Sequence, residues 1–242
     1  MQTATLRKLP LILLFTMGCN MYGAIDDSDD RLDAIEKARY DADGGDCVTA
    51  RDRLANITPQ DDNQRFTLGW AHLCVAGATL ENIGATVAGY TTSSGSDFSL
   101  VGRLARRLLP YSLSKYTQIT QGADTFRNIA TSNRRAYASL VGNITKLAII
   151  AARAAGDRTN LVRNDISLEA SCTSVAACTA AGMSDADATE FKNTVIIMAG
   201  DASSINLPGL KDLAASLNST FAGLASADAV RYYVRNNVVP AN

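Results

Sequence analysis

SNRRAYASLVGNITKLAIIAARAAG, residues 132–156, decides the class of fold. Tyr137, Leu140, Val141, Ile144, Leu147, Ala148 and Ala151 recur at three- and four-residue intervals, the period of one face of an α-helix. Its LAIIAA core, residues 147–152, is apolar almost all round, so the helix needs neighbours on every side and belongs at the centre of a fold. That apolar run is far shorter than the roughly 20 residues a bilayer demands.

Both flanks continue the helical pattern. Towards the C-terminus, Ser184 with Asp187 forms a capping-box-like start to a helix carrying Ala188, Phe191, Val195 and Met198, with Gly200 as its expected end. Pro208 suits the first turn of the next helix, which places Leu210, Leu213, Leu217, Phe221 and Leu224 on one face. Ser226 or Asp228 opens a last helix through Tyr232, Tyr233 and Val234. Towards the N-terminus, FSLVGRLARRLL, residues 98–109, sets Leu100, Leu104 and Leu108 against Arg103, Arg106 and Arg107, and Pro110 breaks it. Before it, residues 79–91 suit a small-residue helix, and TTSSGSD, with a cap at Ser96 or Asp97, marks a possible subdomain seam near 91–97. No alternating run of β-branched residues appears, so the expected class is all-α.

Residues 31–77 read as three short helices. Leu32, Ile35 and Ala38 share a face before Gly44-Gly45 stops the first. Asp46 can cap a second helix with Val48, Ala50, Leu54 and Ile57, ended by Pro59. Asp61 or Asp62 can cap a third with Phe66, Trp70, Leu73 and Ala76 or Gly77. The phrase GGDCVTARDRLANITPQDD, residues 44–62, resembles the second helix of a tetratricopeptide repeat, with Asp46 opening it, Ala50 at the small packing position and Pro59 near its end. The resemblance covers about one and a half units. It implies antiparallel helical hairpins over this region, followed by a C-terminal helical bundle. DADGGD, residues 41–46, has a partial likeness to a calcium loop. However, Gly45 stands where a ligand belongs and Asp46 where the sharp turn wants glycine, so a helix–turn–helix is the expectation.

The first residues read as an address. Arg7 and Lys8 precede a short apolar run, Leu9 to Met17, too short to span a membrane but typical of a secretory signal. Thr16-Met17-Gly18-Cys19 resembles a bacterial lipobox, with Gly18 and Cys19 carrying the match and Thr16 and Met17 departing from its preferred residues. The resemblance implies removal of residues 1–18 and acylation of Cys19, so that membrane lipid becomes a partner of the chain. Asn20, in place of the Asp that retains such proteins at the inner membrane, points to the outer membrane, facing the periplasm. Residues 19–30 then form a polar tether, and residues 31–242 the folded part.

Without that leader, 21 basic and 24 acidic side chains leave a net charge of −3, which suggests no nucleic-acid partner. The distribution is uneven. Residues 24–62 hold twelve acids and five bases, whereas residues 100–163 hold eleven bases and two acids. The basic middle is either a docking surface for an anionic partner or a set of helices complemented by acidic neighbours, and the second is expected. Besides Cys19 there are four cysteines, Cys47, Cys74, Cys172 and Cys178, an even number that in an exported chain reads as disulfides. Three pairings are possible, of which Cys47–Cys74 and Cys172–Cys178 are the most economical. With no C-x-x-C and a single histidine, no zinc site is expected.

No nucleotide-binding, metalloprotease or nucleophile-elbow motif occurs. His72 lies within a helical pattern and reads as a core or interface imidazole. The only glutamates after the leader are Glu36, Glu81, Glu169 and Glu190, none in a catalytic context. The expected role is therefore non-enzymatic and cofactor-free: a scaffold or adaptor for a protein partner or a transport or assembly machine. Candidate contact residues are Trp70, Arg103, Arg106, Arg107, Tyr111, Tyr116, Arg134 and Arg135. The alternatives are an envelope enzyme working through carboxylates and a small-ligand-binding accessory of a transporter.

Overall fold

The structure is a computed structural model that describes residues 30–57, 61–91, 99–155, 174–178, 183–205 and 208–238. The expected leader, Cys19 and the tether up to residue 29 lie outside the described residues, as do Pro59, Ser96, Asp97, Glu169 and Cys172. Ten α-helices occur among the described residues, without a strand. They are α1 (Asp30–Asp43), α2 (Cys47–Ala55), α3 (Asp62–Val75), α4 (Leu80–Thr91), α5 (Ser99–Leu108), α6 (Leu113–Arg127), α7 (Ser132–Ala155), α8 (Asp185–Ser204), α9 (Pro208–Gly223) and α10 (Ala227–Tyr233). A 3₁₀ turn, Val175–Ala177, and a π-turn, Val234–Val238, complete the described elements. The protein is all-α, and no helix among the described residues is long and apolar enough to cross a membrane.

Helix α7 is the central element. It packs against α5, α6 and α8 and touches α3, while α9 and α10 pack on α8. Leu147 through Ala152 are all fully buried, the burial that an apolar-all-round helix requires. The main core runs from Phe66 on α3 to Val238, with Phe126, Phe191 and Phe221 its largest wholly buried side chains. Ile83 and Leu100, on either side of the 91–97 stretch, both belong to it.

Several helix ends follow from single residues. Asp46 and Asp61 accept the amides of Thr49 and Gln64 at the starts of α2 and α3. Ser184 and Asp187 make the reciprocal capping box at α8: the Ser184 hydroxyl accepts the Asp187 amide at 3.1 Å, and the Ser184 amide donates to the Asp187 carboxylate. Gly45 and Gly77 close α1 and α3 with φ of +87° and +85°, a backbone that residues with a Cβ rarely adopt.

Three boundaries differ from expectation. Helix α8 continues through Gly200 to Ser204, because Ala202 and Ile205 prolong its buried face and outweigh the roughly 1 kcal/mol that an interior glycine costs. After α10 the chain widens into a π-turn rather than stopping at Val234, and Val230, Val234 and Val238 are buried at four-residue spacing. Helix α6 stands where no helix was expected. Ser112 caps it by accepting the Lys115 amide, and Ile119, Ala123 and Phe126 bury its face.

Helix α6 fits between α3 and α7 because a glycine stands at each close approach: Gly122 against Gly69 of α3, and Gly142 of α7 against Ala123 and Phe126. A Cβ on Gly122 would lie 2.9 Å from the Gly69 carbonyl oxygen, and one on Gly142 2.9 Å from the Ala123 Cα. A Cβ on Gly69 would run into the Phe126 ring. The space those side chains leave is taken by an aromatic cluster, with Trp70 and Phe126 at 5.9 Å and Phe66 and Phe126 at 6.0 Å between centroids.

The first three helices have a small core of their own: Ile35, Ala38, Ala50, Leu54, Leu68 and Ala71. Helices α1 and α2 pack on each other and on α3. The Cys47 and Cys74 sulfurs are bonded, with 5.6 Å between the two Cα atoms, which ties the start of α2 to the last turn of α3. Closing a loop of 27 residues, this bond contributes about 3–4 kcal/mol. Cys178 is likewise held in a disulfide.

Candidate functional site

The pairing of charges begins with α7 and α8. Lys146 and Arg153 stand two helical turns apart on α7. Facing them on α8 are Asp187 and Glu190, one turn apart. Glu190 takes a hydrogen bond from the Tyr116 hydroxyl at 2.5 Å, an ion pair from Lys146 at 3.2 Å and another from Arg153 at 3.0 Å. Arg153 also pairs with Asp187, donates to the Tyr111 hydroxyl and lies over the Tyr116 ring at 4.4 Å.

The protonation of this cluster follows from its contacts. Burial opposes ionisation of Glu190, but the Tyr116 hydroxyl, Lys146 and Arg153 outweigh it and hold the carboxyl below its usual range. Burial and the Glu190 carboxylate both push the Tyr116 phenol up. Burial favours the neutral form of Arg153, yet Asp187, Tyr111 and Glu190 more than compensate and keep it charged. Beside the cluster an open groove of about 590 Å³ is lined by Lys146, Asp185, Thr189, Glu190, Asn193 and Ile197 among others. A carboxylate held ionised by two cations is a poor proton donor, so the groove is suited to holding a polar group rather than to acid catalysis.

The same α7–α8 seam carries a second polar set. The Ser139 hydroxyl donates to Asp201, and the Asn143 amide donates to both. Burial raises the Asp201 carboxyl above its ordinary value despite Ser139, Arg127 and Arg135. Arg127, Arg135, Lys146 and Arg153, all from the basic middle of the chain, therefore face carboxylates of α8. This is the internal complementation expected of packed helices.

The residues expected to contact a partner fall into separate places. Trp70 packs edge-on against Phe66 and Phe126, and Arg134 lies 4.8 Å over the Phe66 ring while donating to Asn63. Tyr111 and Tyr116 meet at Arg153, as described. Arg135 donates to the Ile129 carbonyl. Arg103 is half-buried on α5, whereas Arg106 and Arg107 are exposed, Arg107 lying 3.5 Å from Asn82. The aromatic candidates thus serve packing, and the solvent-facing members are Arg106 and Arg107.

Other singled-out residues have structural partners. His72 is half-buried with its Nδ1 2.7 Å from the Gln118 Oε1, linking α3 to α6. Burial pulls its pKa below 6.5 although Gln118 favours the charged form. In the calcium-like loop, Asp41 pairs with Arg53 at 3.0 Å and Asp46 caps α2. No group of three or more His, Cys, Asp or Glu side chains placed to hold a metal occurs among the described residues.

Two further positions have roles the sequence did not suggest: Asp62, offered there with Asp61 as a cap, and Arg231. Asp62 accepts the amides of Ala130 and Thr131 at 2.7 and 2.9 Å, fastening α3 to the entry of α7. Burial opposes its ionisation, but these bonds and the Thr131 hydroxyl win and lower its pKa. Arg231, almost wholly buried, donates to the Met183 carbonyl at 2.6 Å and pairs with Asp185 and Asp228, locking α10 against the start of α8. Comparison with protein-family models, with curated proteins and with solved structures gave no match.

Proposed function

We propose that this chain is an exported, lipid-anchored helical scaffold, tethered through Cys19 to the outer membrane and offering its folded part to a protein partner in the periplasm. What supports it most is the Cys47–Cys74 bond in a chain that opens on a basic, then apolar, then Gly-Cys stretch: disulfides form and persist outside the reducing cytoplasm. On this reading α1 to α3 are the tetratricopeptide-like hairpin region, and the helices beyond the 91–97 seam, from α5 onwards, the C-terminal bundle. The contact surface includes the exposed Arg106 and Arg107 of α5, which suit an acidic segment of the partner. No nucleic acid and no cofactor enters this role.

Glu190, held ionised by Lys146 and Arg153, does not supply the acid that the carboxylate-enzyme alternative needs. The groove beside it favours, as a second reading, a small polar ligand held between Lys146 and Asn193. Cys19→Ala tests the first reading. The variant should move from the membrane pellet to the soluble extract of the envelope, and retention in the detergent-soluble membrane fraction would remove the lipid anchor.

A further inference from the structure

We infer that the α1–α2 hairpin is a separately opening unit, held down by the Cys47–Cys74 bond and released from α3 when a dithiol reductant cleaves that bond. The proposal rests on how the hairpin is fastened and not on where the protein resides.

Helices α1 and α2 have their principal packing with each other and with α3, and their buried side chains form a cluster distinct from the main core. Among the described residues that cluster has six buried members, three of them alanine, with Ala42 and Ile57 partly buried against it, so little apolar surface holds the hairpin down. Its outer side meets solvent: Tyr40 on α1 is 81% exposed and Val48 on α2 50%. Helix α3 by contrast has a second face in the main core, through Phe66 and Leu73, and keeps its place without the hairpin.

Two fastenings hold α2 along α3, one at each end. At the far end, the buried Gln64 amide donates to the Leu54 and Ile57 carbonyls at 2.8 and 2.9 Å, satisfying the last turn of α2. At the near end the fastening is the disulfide itself. From α1, Arg39 reaches the Thr67 hydroxyl at 3.4 Å, whereas the Asp41–Arg53 ion pair lies within the hairpin. Cleavage therefore leaves a small core, the Gln64 clamp and the Arg39 contact to hold the hairpin against the entropy of about two helices.

The chemistry is thiol–disulfide exchange. A thiolate of the reductant attacks one sulfur, the S–S bond breaks, and the other cysteine leaves as a thiolate that takes a proton. The reductant's second thiol then displaces the first cysteine. Two electrons pass to the protein, which gains two thiols, and the reductant ends as its own disulfide.

Hydrogen exchange of the full chain, read by mass spectrometry with and without dithiothreitol, tests this. Amides of α1 and α2 should exchange roughly 100-fold faster or more after reduction, the scale that loss of such a cross-link implies, while those of α6 to α8 keep their protection. The Cys47→Ser/Cys74→Ser double variant, which leaves Cys178 untouched, should reproduce the local change. Leu54→Ala in the oxidised protein should accelerate exchange in the same two helices alone. Unchanged protection of α1 and α2 on reduction would overturn the proposal, and so would an equal loss across all helices.

Discussion

His72 and Glu190 both contribute to the pH response of the folded state, His72 through the imidazole range and Glu190 through the carboxylate range. Partial burial disfavours the charged His72 imidazole, so its folded pKa lies below the ordinary 6.5 and the unfolded chain binds its proton more readily. Its contribution is complete above pH 6.5 and is lost as pH falls through the folded value. His72→Gln should flatten that part of a pH–stability curve measured by urea unfolding. Glu190 also has a lowered pKa, so its contribution is present above 4.5 and is lost as pH falls through its own folded value. Tyr116→Phe removes one of its three donors and should cost about 1 kcal/mol. It should also raise the Glu190 pKa, which carboxyl NMR titration would record; an unmoved carboxyl would show that the phenol does not hold it.

Among the elements, α6 decides whether the helices can close on one another. Gly122→Ala places a methyl within 2.9 Å of a carbonyl oxygen on α3, and backbone cannot yield as a flexible side chain can. The expected cost is about 1–3 kcal/mol in urea unfolding, with a larger loss for valine. Gly200→Ala, whose added Cβ meets nothing within 4 Å, should leave stability unchanged or raise it slightly. Arg231→Met should loosen α10 from α8 and cost about 2–4 kcal/mol, because the Met183 carbonyl loses its donor. Helices α7 and α8 were legible in sequence because their apolar period is long and because α8 opens on a capping box. Helix α6 was not, although Tyr116, Ile119, Ala123 and Phe126 keep the same spacing: threonines, glutamines and Gly122 dilute it, and the glycine that weakens the helix is what admits it to the core. The end of α8 was missed for a related reason, since Gly200 stops a helix only when its buried face stops too.

For the molecule as a whole, charge and sulfur were more legible than contact surfaces. Lys146 and Arg153 of the basic middle pair with Asp187 and Glu190 of α8, as opposite charges in neighbouring helices do, and not with the acidic stretch 24–62. The Cys47–Cys74 choice followed from two cysteines on consecutive helices, and non-reducing peptide mapping of protein from its native compartment should recover that linked pair. The candidate contact residues were not legible in the same way. Residue type alone does not separate an arginine stacked on Phe66 from one open to solvent, and both readings satisfy a basic helix. The claim on which location and role depend is the acylation of Cys19. Mass spectrometry of the N-terminal peptide from natively expressed protein tests it most directly. The expected result is a chain beginning at Cys19 with fatty-acyl mass on it, and a chain beginning at unmodified Met1 would contradict the account.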